Sequence, residues 1–439
     1  MFGESLPNVR VSPPGPASLE LAKRLRAVES RDVTFLGPDF PVFWDAARGA
    51  NVRDVDGNVY LDLTGGFGVS LLGHAPEAVR VALHAQADVL VHGMGDVHPP
   101  KLKVDLLERL TALAPWEESR GVLASSGSEA VEAALKTALV QSGRPGIVAF
   151  KGAYHGLTVG SLSTTWRSHF RERFLPRLFA GVEFLDFPTD DESAERVLGE
   201  LDELLGRGAS DGSAIGAVVI EPVQGRAGVR IPPDHFLTGL VERTRAGGAV
   251  SIFDEIFTGL GRTGALFYGP SVGATPDIIC IGKALGGGMP MSACLGAAEI
   301  MDAWPESTGE AIHTSTFLGH PLSCAAALAF LQALEDGGAV NRARKLGARI
   351  LSELRERLPK STVADVRGRG LLIGIALKGG PGMGARVASE ALGRGVLLLP
   401  AGAQGEIVEL APPVTLTEPQ IEAMLRIVVD SVEACQISA

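Results

Sequence analysis

Two stretches decide the fold: residues 249–264, AVSIFDEIFTGLGRTG, and residues 278–290, IICIGKALGGGMP. Each opens with a short apolar run that predicts a strand. Such runs are apolar on both faces, which is typical of strands in a parallel sheet covered by helices. A charged side chain and then glycines follow each run within a few residues. The two stretches therefore predict an α/β fold with polar groups at the ends of buried strands.

Two further apolar runs of this kind extend from Gly146 to Phe150 and from Ala217 to Ile220. They lie among segments with a helical pattern, and the alternation continues to about residue 325. We therefore expect a large domain, residues 66–325, with a mostly parallel sheet flanked by helices.

The sequence before this domain predicts an N-terminal arm and a hairpin, residues 1–65. Residues 51–62 alternate in polarity around Asp56-Gly57, which is a strong hairpin signal. A helix is expected from Leu19 to Glu29, with Ser18 as its N-cap.

The sequence after the large domain, residues 326–439, predicts a smaller α+β domain, to which both chain ends contribute. A helix from about Pro321 to Glu335 leads into it. The expected elements are helices at Ala339 to Leu358 and Glu418 to Ala434, and strands at Leu371 to Leu377, Gly395 to Leu399 and Ile407 to Leu410.

The charge and composition of the chain indicate which classes of partner are not expected. The net charge is −11, from 40 Lys and Arg against 51 Asp and Glu, and no basic block stands out, so nucleic-acid binding is not expected. No signal peptide or membrane-spanning run is recognisable, so no membrane partner is expected and a cytoplasmic location is predicted.

Four widely spaced cysteines, Cys280, Cys294, Cys324 and Cys435, are interpreted as core thiols. We predict no disulfide and no metal site.

The first polar cluster is Ser125-Ser126-Gly127-Ser128-Glu129, which opens a helix. The free N–H groups and the positive dipole end of a helix N-terminus can bind a phosphate. The same residues also fit an ordinary Ser N-cap with a capping-box Glu. Both interpretations remain open at this point.

The second cluster follows the strand that ends at Phe253, where Asp254 comes first and then Gly259-Leu-Gly261-Arg-Thr-Gly264. The glycine run matches the dinucleotide-binding fingerprint, but that fold needs the glycines to open a helix. Here Phe267-Tyr-Gly-Pro270 would break any helix, so a nicotinamide dehydrogenase is disfavoured. Asp254 is either a ligand-binding carboxylate or one half of a salt bridge.

The third cluster places Lys283 directly after a buried strand, between Gly282 and the glycines from Gly286 to Gly288. Lysine in such surroundings changes its pKa readily and can form an imine with an aldehyde. The alternative is a lysine whose side chain merely extends from a strand end to solvent.

Together the clusters fit the requirements of pyridoxal 5'-phosphate. This cofactor needs an amine, a carboxylate beside its pyridine nitrogen, an anion site and flat packing on both ring faces. The candidates are Lys283 for the amine, Asp254 for the carboxylate, Gly127 and Ser128 for the phosphate, and Tyr154 and Ile256 for the ring faces.

From about Phe40 to the C-terminus the chain resembles the class III aminotransferases, the fold type I pyridoxal phosphate enzymes that include 4-aminobutyrate and ornithine aminotransferases. Each shared motif is short, but their order and the 29 residues from Asp254 to Lys283 are specific. The motifs that carry the resemblance are Asp56-Gly57-Asn58, Ser126-Gly127-Ser128-Glu129-Ala130, Tyr154-His155-Gly156, Glu221-Pro222-Val223-Gln224-Gly225, Asp254-Glu255-Ile256, Gly261-Arg262-Thr263-Gly264, Lys283, Ser315-Thr316-Phe317 and Arg367-Gly368-Arg369-Gly370.

The resemblance implies a role for each candidate. Lys283 would form the Schiff base and carry the proton, and Asp254 would pair with the pyridine nitrogen. Thr316 would reach the phosphate of a neighbouring subunit, which implies a homodimer with its active sites at the subunit interface. Arg369 would bind a substrate carboxylate through its two-pronged guanidinium. The other implied cofactor contacts are Gly127 and Ser128 at the phosphate and Tyr154 and Ile256 on the two ring faces, with His155 interpreted as structural.

Several departures from the family concern the substrate. Leu157 stands where family members that handle 4-aminobutyrate or ornithine usually have Arg, and Arg226 stands where they usually have Glu. Phe257 replaces a Gln that often contacts the cofactor hydroxyl. Phe67 falls where the family lines its substrate cavity, although a core Phe is an equal interpretation.

The function expected from these residues is transfer of an amino group between a primary amine or amino acid, including ω-amino acids, and a 2-oxo acid, by a two-step ping-pong mechanism. The alternative is an isomerase on the same scaffold, such as a racemase, epimerase or aminomutase. Family racemases tend to carry an acidic residue where this chain has Arg226, which disfavours that alternative.

Overall fold

A computed structural model describes residues 2–37 and 40–436 of the chain. The chain divides into two compact units, which are described separately below: a larger unit, Glu77–Asn341, and a smaller one, Met1–Pro76 with Arg342–Ala439. Within the described residues, no helix has the length and apolar character needed to cross a membrane.

The strands of the described residues are, in chain order, β1 Trp44–Arg48, β2 Asn51–Asp54, β3 Val59–Asp62, β4 Ser119–Ala124, β5 Gly146–Phe150, β6 Val182–Leu185, β7 Ile215–Ile220, β8 Val250–Asp254, β9 Ile278–Ile281, β10 Ser292–Ala297, β11 Val363–Arg369, β12 Leu372–Leu377, β13 Val396–Leu397, β14 Leu399–Ala401 and β15 Ile407–Leu410.

The α-helices are α1 Pro16–Val28, α2 Gly65–Gly68, α3 Glu77–Ala87, α4 Lys101–Leu113, α5 Gly127–Ser142, α6 Val159–Thr164, α7 Ser168–Arg171, α8 Asp191–Arg207, α9 Asp234–Ala246, α10 Tyr268–Ser271, α11 Ala298–Met301, α12 Pro321–Asp336, α13 Ala339–Arg357, α14 Met383–Gly393 and α15 Glu418–Gln436. Short 3₁₀ helices cover Glu172–Arg177 and Lys283–Gly286.

The larger unit is built on a seven-stranded sheet in the order β4-β10-β9-β8-β7-β5-β6. The neighbours from β9 to β6 run parallel, whereas β10 is antiparallel to both β9 and β4. The expected mostly parallel sheet is therefore confirmed. The four strands that the sequence predicted, β5, β7, β8 and β9, form its centre and are nearly all buried.

Helix α5 provides much of the core of this unit. Its alanines Ala130, Ala133, Ala134 and Ala138 are fully or almost fully buried and pack with strand residues such as Ile252. Small side chains let the helix lie close to the sheet, so the position of its N-terminus is fixed by packing. Burial of apolar surface of this kind is the main source of the unit's stability.

The glycine run after β8 forms turns. Gly261 and Gly264 have φ values of +97° and +82°, which favour glycine. The next helix is α10, which has only four residues and starts at Tyr268. No helix opens on the glycines, as a dinucleotide fold would require.

The smaller unit contains two four-stranded sheets, β1-β2-β3-β13 and β11-β12-β15-β14. The predicted hairpin around Asp56-Gly57 is present as β2 and β3, with Gly57 at φ +84°. Residues 395–399 were predicted as one strand and instead form two, since Val396–Leu397 pairs with β3 and Leu399–Ala401 pairs with β15.

The predicted N-cap of the first helix is wrong. The helix begins at Pro16, whose fixed φ suits the first helical position, and Gly15 is its N-cap. Ser18 lies inside the helix, where its hydroxyl donates a hydrogen bond to Asp56 at 2.7 Å. A contact between residues 38 positions apart therefore decided the role of this serine.

Candidate active site

The ends of five strands meet at one cavity of the larger unit, with a volume of about 540 Å³. Parallel strands place their carboxyl ends at the same edge of a sheet, where ligands of α/β proteins bind. The cavity is lined by Gly127, Ser128, Tyr154, His155, Gly156, Leu157, Thr158, Glu221, Arg226, Asp254, Ile256, Phe257 and Lys283. The structure thus brings together eight of the eleven residues predicted to contact cofactor or substrate, namely Gly127, Ser128, Tyr154, Leu157, Arg226, Asp254, Ile256 and Lys283.

Lys283 follows β9 and has φ +42°, a strained value for a residue with a side chain. Its Nζ lies 4.6 Å from the ring centroid of Phe257, within the range of a cation–π contact. The Phe257 ring is buried and has space only because Gly225 carries no side chain, since a Cβ there would collide with it. Lys283 is therefore half-buried, and its amine lies against the Phe257 ring.

Asp254 ends β8 and is only 4% exposed. Its Oδ1 accepts the N–H of Ile256 at 3.1 Å, and its Oδ2 lies 2.7 Å from Nδ1 of the buried His155. Burial opposes protonation of His155, but the hydrogen bond and charge of Asp254, together with Glu221, raise its pKa above the usual value. His155, expected from the sequence to be structural, contacts the proposed catalytic carboxylate directly and fixes its orientation.

Glu221 follows β7 and is a second buried carboxylate in the cavity wall. It accepts the N–H of Tyr154 at 3.1 Å. Burial and, to a smaller extent, the charge of Asp254 raise the pKa of Glu221 to about 7, against the lowering effects of His155 and Lys283. Near neutral pH this carboxyl group is therefore partly protonated.

The N-terminus of α5 carries the capping box, one of the two interpretations that the sequence left open. Ser126 and Glu129 form the capping box, in which the Ser126 hydroxyl accepts the N–H of Glu129. The next residues, Gly127 and Ser128, line the cavity. The capping box and an anion site at this helix end are therefore compatible.

Tyr154 and Ile256 line the cavity as candidates for the two ring faces. A Cβ on Gly127 would come within 2.8 Å of Ile256 Cδ1, so the glycine lets the isoleucine pack against the helix end. Tyr154 meets Phe170 edge to face at 5.5 Å. Burial raises the pKa of the Tyr154 phenol, against the opposing charge of Arg226.

The substrate candidates are distributed over several parts of the chain. Leu157, 49% exposed, and the half-buried Arg226 line the cavity. Thr316 lies in an exposed turn of the same unit. Phe67 and Arg369 belong to the smaller unit, where Phe67 is 59% exposed with φ +62° and Arg369 is exposed at the end of β11.

The chemistry of the cavity fits pyridoxal 5'-phosphate. A half-buried primary amine, a buried carboxylate held by a histidine and a helix N-terminus line one space of suitable size. In the part of the chain that the structure describes, no three His, Cys, Asp or Glu side chains are placed to hold a metal ion.

Comparison with known proteins agrees with this chemistry. The family model "Aminotransferase class-III" matches residues 37–432. The 4-aminobutyrate aminotransferase of Mycobacterium leprae (strain TN) is 36% identical over 429 residues, covering 92% of this chain and 93% of the relative. The acetylornithine aminotransferase of Methanopyrus kandleri is 36% identical over 398 residues, covering 90% and 95%. A PLP-bound amine transaminase from an uncultivated Pseudomonas species is 31% identical with a TM-score of 0.83, covering 93% of this chain and 98% of that one.

The chain therefore belongs to the class III aminotransferases and has their fold type I architecture. It is an enzyme that catalyses transamination with pyridoxal 5'-phosphate, using an amino donor and a 2-oxo acid as substrates.

Proposed function

We propose that the cavity described above is the transamination site and that its donor is an amine or amino acid with an apolar or uncharged tail. The proposal is carried by the convergence of Lys283, Asp254 and the N-terminus of α5 on one cavity. When bound, pyridoxal 5'-phosphate supplies a ring that accepts the electrons released at the substrate carbon.

Lys283 would hold the cofactor covalently and would act as the base that moves the substrate's proton. Phe257 holds its Nζ in the cavity when it is not covalently linked. No other lysine lines this space within the described residues.

Asp254 holds the pyridine nitrogen in its protonated form. Its two oxygens are fixed by the N–H of Ile256 and by His155, so the carboxylate needs no rearrangement when a cation is placed beside it. Gly127 and Ser128 bind the phosphate at the helix N-terminus. Tyr154 and Ile256 enclose the ring from its two faces.

Arg226 supplies a positive charge for a substrate carboxylate, whereas Leu157 presents an apolar surface. A carboxylate buried beside a leucine costs several kcal/mol unless a cation reaches it. Donors with a distal carboxylate, such as 4-aminobutyrate, should therefore bind less well than uncharged ones. Arg369 and Phe67 remain proposed substrate contacts, with Arg369 binding a substrate carboxylate, on the basis of the family resemblance.

The active form is proposed to be a homodimer. Exposed apolar side chains are concentrated in segments 89–97 and 312–317, including Val89 at 78%, Ile312 at 70% and Phe317 at 57% exposure. The two segments are in contact, since Thr314 donates a hydrogen bond to Asp96 at 2.7 Å. A contiguous apolar surface of this kind marks a protein interface, and it includes the neighbourhood of Thr316. The proposed location is the cytoplasm, supported by four buried cysteines that are free thiols.

The test is a donor and acceptor panel on the purified holoenzyme, with product amino acid measured by chromatography. The proposal expects amino transfer from uncharged primary amines to pyruvate and 2-oxoglutarate. Arg226→Gln should raise KM for 2-oxoglutarate more than KM for pyruvate, because only the former has a second carboxylate. Equal KM changes for the two acceptors would contradict the role of Arg226.

A further inference from the structure

A cluster of hydroxyl groups surrounds Ser128. Its Oγ lies 2.7 Å from Thr158 Oγ1 and 2.6 Å from Ser161 Oγ, and it accepts the N–H of Thr158 at 3.1 Å. Ser161 is fully buried, whereas Ser128 and Thr158 line the cavity. The Ser128 hydroxyl, which lines the cavity, is therefore hydrogen-bonded to Ser161, which lies outside the cavity lining.

This cluster ends in the carboxylate of Glu132, four residues after Ser128 on α5. Glu132 Oε1 accepts the hydroxyl of Thr158 at 2.6 Å and the N–H groups of Gly160 and Ser161 at 2.9 and 3.2 Å. Thr158 is the N-cap of α6 but makes no side-chain cap bond there. Glu132 thus performs the capping of α6 from a neighbouring helix.

Counting protons shows how the hydroxyl groups depend on Glu132. A carboxylate only accepts hydrogen bonds, so the single hydroxyl proton of Thr158 is committed to Glu132. The protons of Ser128 and Ser161 remain. Once its proton is given to Glu132, Thr158 Oγ1 can only accept, and it lies 2.7 Å from Ser128 Oγ and 2.9 Å from Ser161 Oγ. Ser161 also donates to the carbonyl oxygen of Thr158 at 3.2 Å. The cluster therefore holds the Ser128 hydroxyl in a defined position.

Two glycines leave room for the cluster. A Cβ on Gly156, which has φ +126°, would collide with Ser128 Oγ, and a Cβ on Gly160 would collide with the Glu132 carboxylate. The backbone around the cluster is therefore shaped to bring Glu132, Ser161 and Ser128 together.

We propose that Glu132 is a positioning residue for the anion site: through Thr158 and Ser161 it holds the Ser128 hydroxyl in place at the proposed phosphate site. The inference rests on the proposed function, which places the cofactor phosphate at Gly127 and Ser128. Glu132 does not itself touch the phosphate. Its negative charge is balanced by the N-terminal N–H groups of α6.

The test is the rate at which pyridoxamine 5'-phosphate leaves the holoenzyme after it has been aminated with a donor and diluted into cofactor-free buffer. Glu132→Gln keeps the shape but offers an amide in place of an obligate acceptor, so release should become about tenfold faster, the size expected for loss of one charge-assisted hydrogen bond. The phosphorus-31 resonance of the bound cofactor should also shift toward that of the free compound. Asp190→Asn is the matched control, because Asp190 also accepts a backbone N–H at a helix N-terminus, that of α8, but lies outside the cavity lining.

Two further variants separate the outcomes. Ser128→Ala tests the proposed phosphate site itself. Ser161→Ala removes one of the two hydroxyl groups that hold Ser128 Oγ and should accelerate release as Glu132→Gln does. Faster release in Ser128→Ala together with unchanged or slower release in Glu132→Gln would overturn the role of Glu132 but leave the proposed phosphate site intact. Glu132 would then have no net positioning effect on the bound cofactor. Unchanged release in Ser128→Ala would overturn the proposed phosphate site. If Glu132→Gln does not fold, the inference is overturned when Ser161→Ala releases the cofactor at the same rate as wild type.

Discussion

The Asp254 carboxylate shows how neighbouring residues prepare one side chain for its role. The strand end fixes its backbone, and His155 and the N–H of Ile256 fix its oxygens. An anion held in this way stabilises a positive charge without first having to reorganise. Part of the site's proposed chemistry therefore resides in a histidine that does not contact the reacting atoms.

Asp254→Asn should keep the fold and lower kcat by about 100-fold or more, because a neutral amide cannot hold the pyridine nitrogen protonated. Steady-state kinetics with a saturating donor measures the effect. Cofactor content and circular dichroism should stay near wild type. A kcat within a few-fold of wild type would remove Asp254 from its proposed role.

Leu157→Arg should shift donor preference toward 4-aminobutyrate, because the new cation lies in the cavity wall where wild type has an apolar surface. The expected change in the ratio of kcat/KM, for 4-aminobutyrate against an uncharged amine of similar length, is about tenfold or 1.4 kcal/mol. Val159→Arg is the control, since this residue is exposed on the same segment but does not line the cavity. If the wild-type enzyme already prefers 4-aminobutyrate by about tenfold, the apolar surface at Leu157 does not disfavour a donor carboxylate, and the argument is wrong.

At the scale of elements, the positions of helix ends and glycines decide what the cavity can bind. Gly156 and Gly143 both have positive φ, but a Cβ would collide with Ser128 Oγ at the first and meets open space at the second. Substitution at Gly143 therefore tests backbone strain alone, whereas substitution at Gly156 also disturbs the proposed anion site.

Gly156→Ala should reduce the amount of cofactor that copurifies with the protein, because the methyl group displaces Ser128. Gly143→Ala should cost about 1 kcal/mol of stability from the left-handed backbone alone and leave cofactor content unchanged. Absorbance per mole of protein and thermal unfolding measure the two effects. Equal cofactor loss in both variants would show that strain, and not the collision, is responsible.

The elements near the site were predictable because their signals are local. A strand such as Ile278 to Ile281 is marked by a continuous apolar run, and its end is marked by glycines. β10 and β4 were missed because Ser292–Ala297 and Ser119–Ala124 are rich in small and polar residues and become strands through pairing with sheet neighbours. The N-cap of α1 was wrong for a similar reason, since Ser18 bonds to Asp56 in the hairpin.

The site was predictable where one motif places one residue at a strand end, as for Lys283 and Asp254. The hydroxyl cluster was not predictable, because Glu132, Thr158 and Ser161 are ordinary residues whose roles depend on distances between α5 and α6. Thr316, Phe67 and Arg369 lie outside the cavity lining, and their proposed roles came only from the resemblance.

At the scale of the whole molecule, exposed apolar surface is the feature that the single chain leaves unexplained. Segments 89–97 and 312–317 hold several large apolar side chains in solvent. Covering them in a homodimer would remove this surface from water, which is a favourable change of the kind that drives association.

Ile312→Asp should weaken the dimer, because burying an unpaired carboxylate in an interface costs several kcal/mol. Sedimentation velocity over a range of concentrations should show a larger fraction of monomer than in wild type. Val28→Asp is the control, since Val28 is also exposed, at 85%, but lies on α1. An unchanged dimer in Ile312→Asp would place the interface elsewhere.

The central claim is that Lys283 carries the cofactor, and peptide mapping tests it most directly. Sodium borohydride reduction of the holoenzyme, followed by proteolysis and mass spectrometry, should reveal the cofactor mass on the peptide that contains Lys283. Lys283→Ala should show no lysine adduct and no turnover, because no other lysine lines the cavity among the described residues. An adduct on a different lysine of the wild-type chain, or turnover retained in Lys283→Ala, would contradict the account.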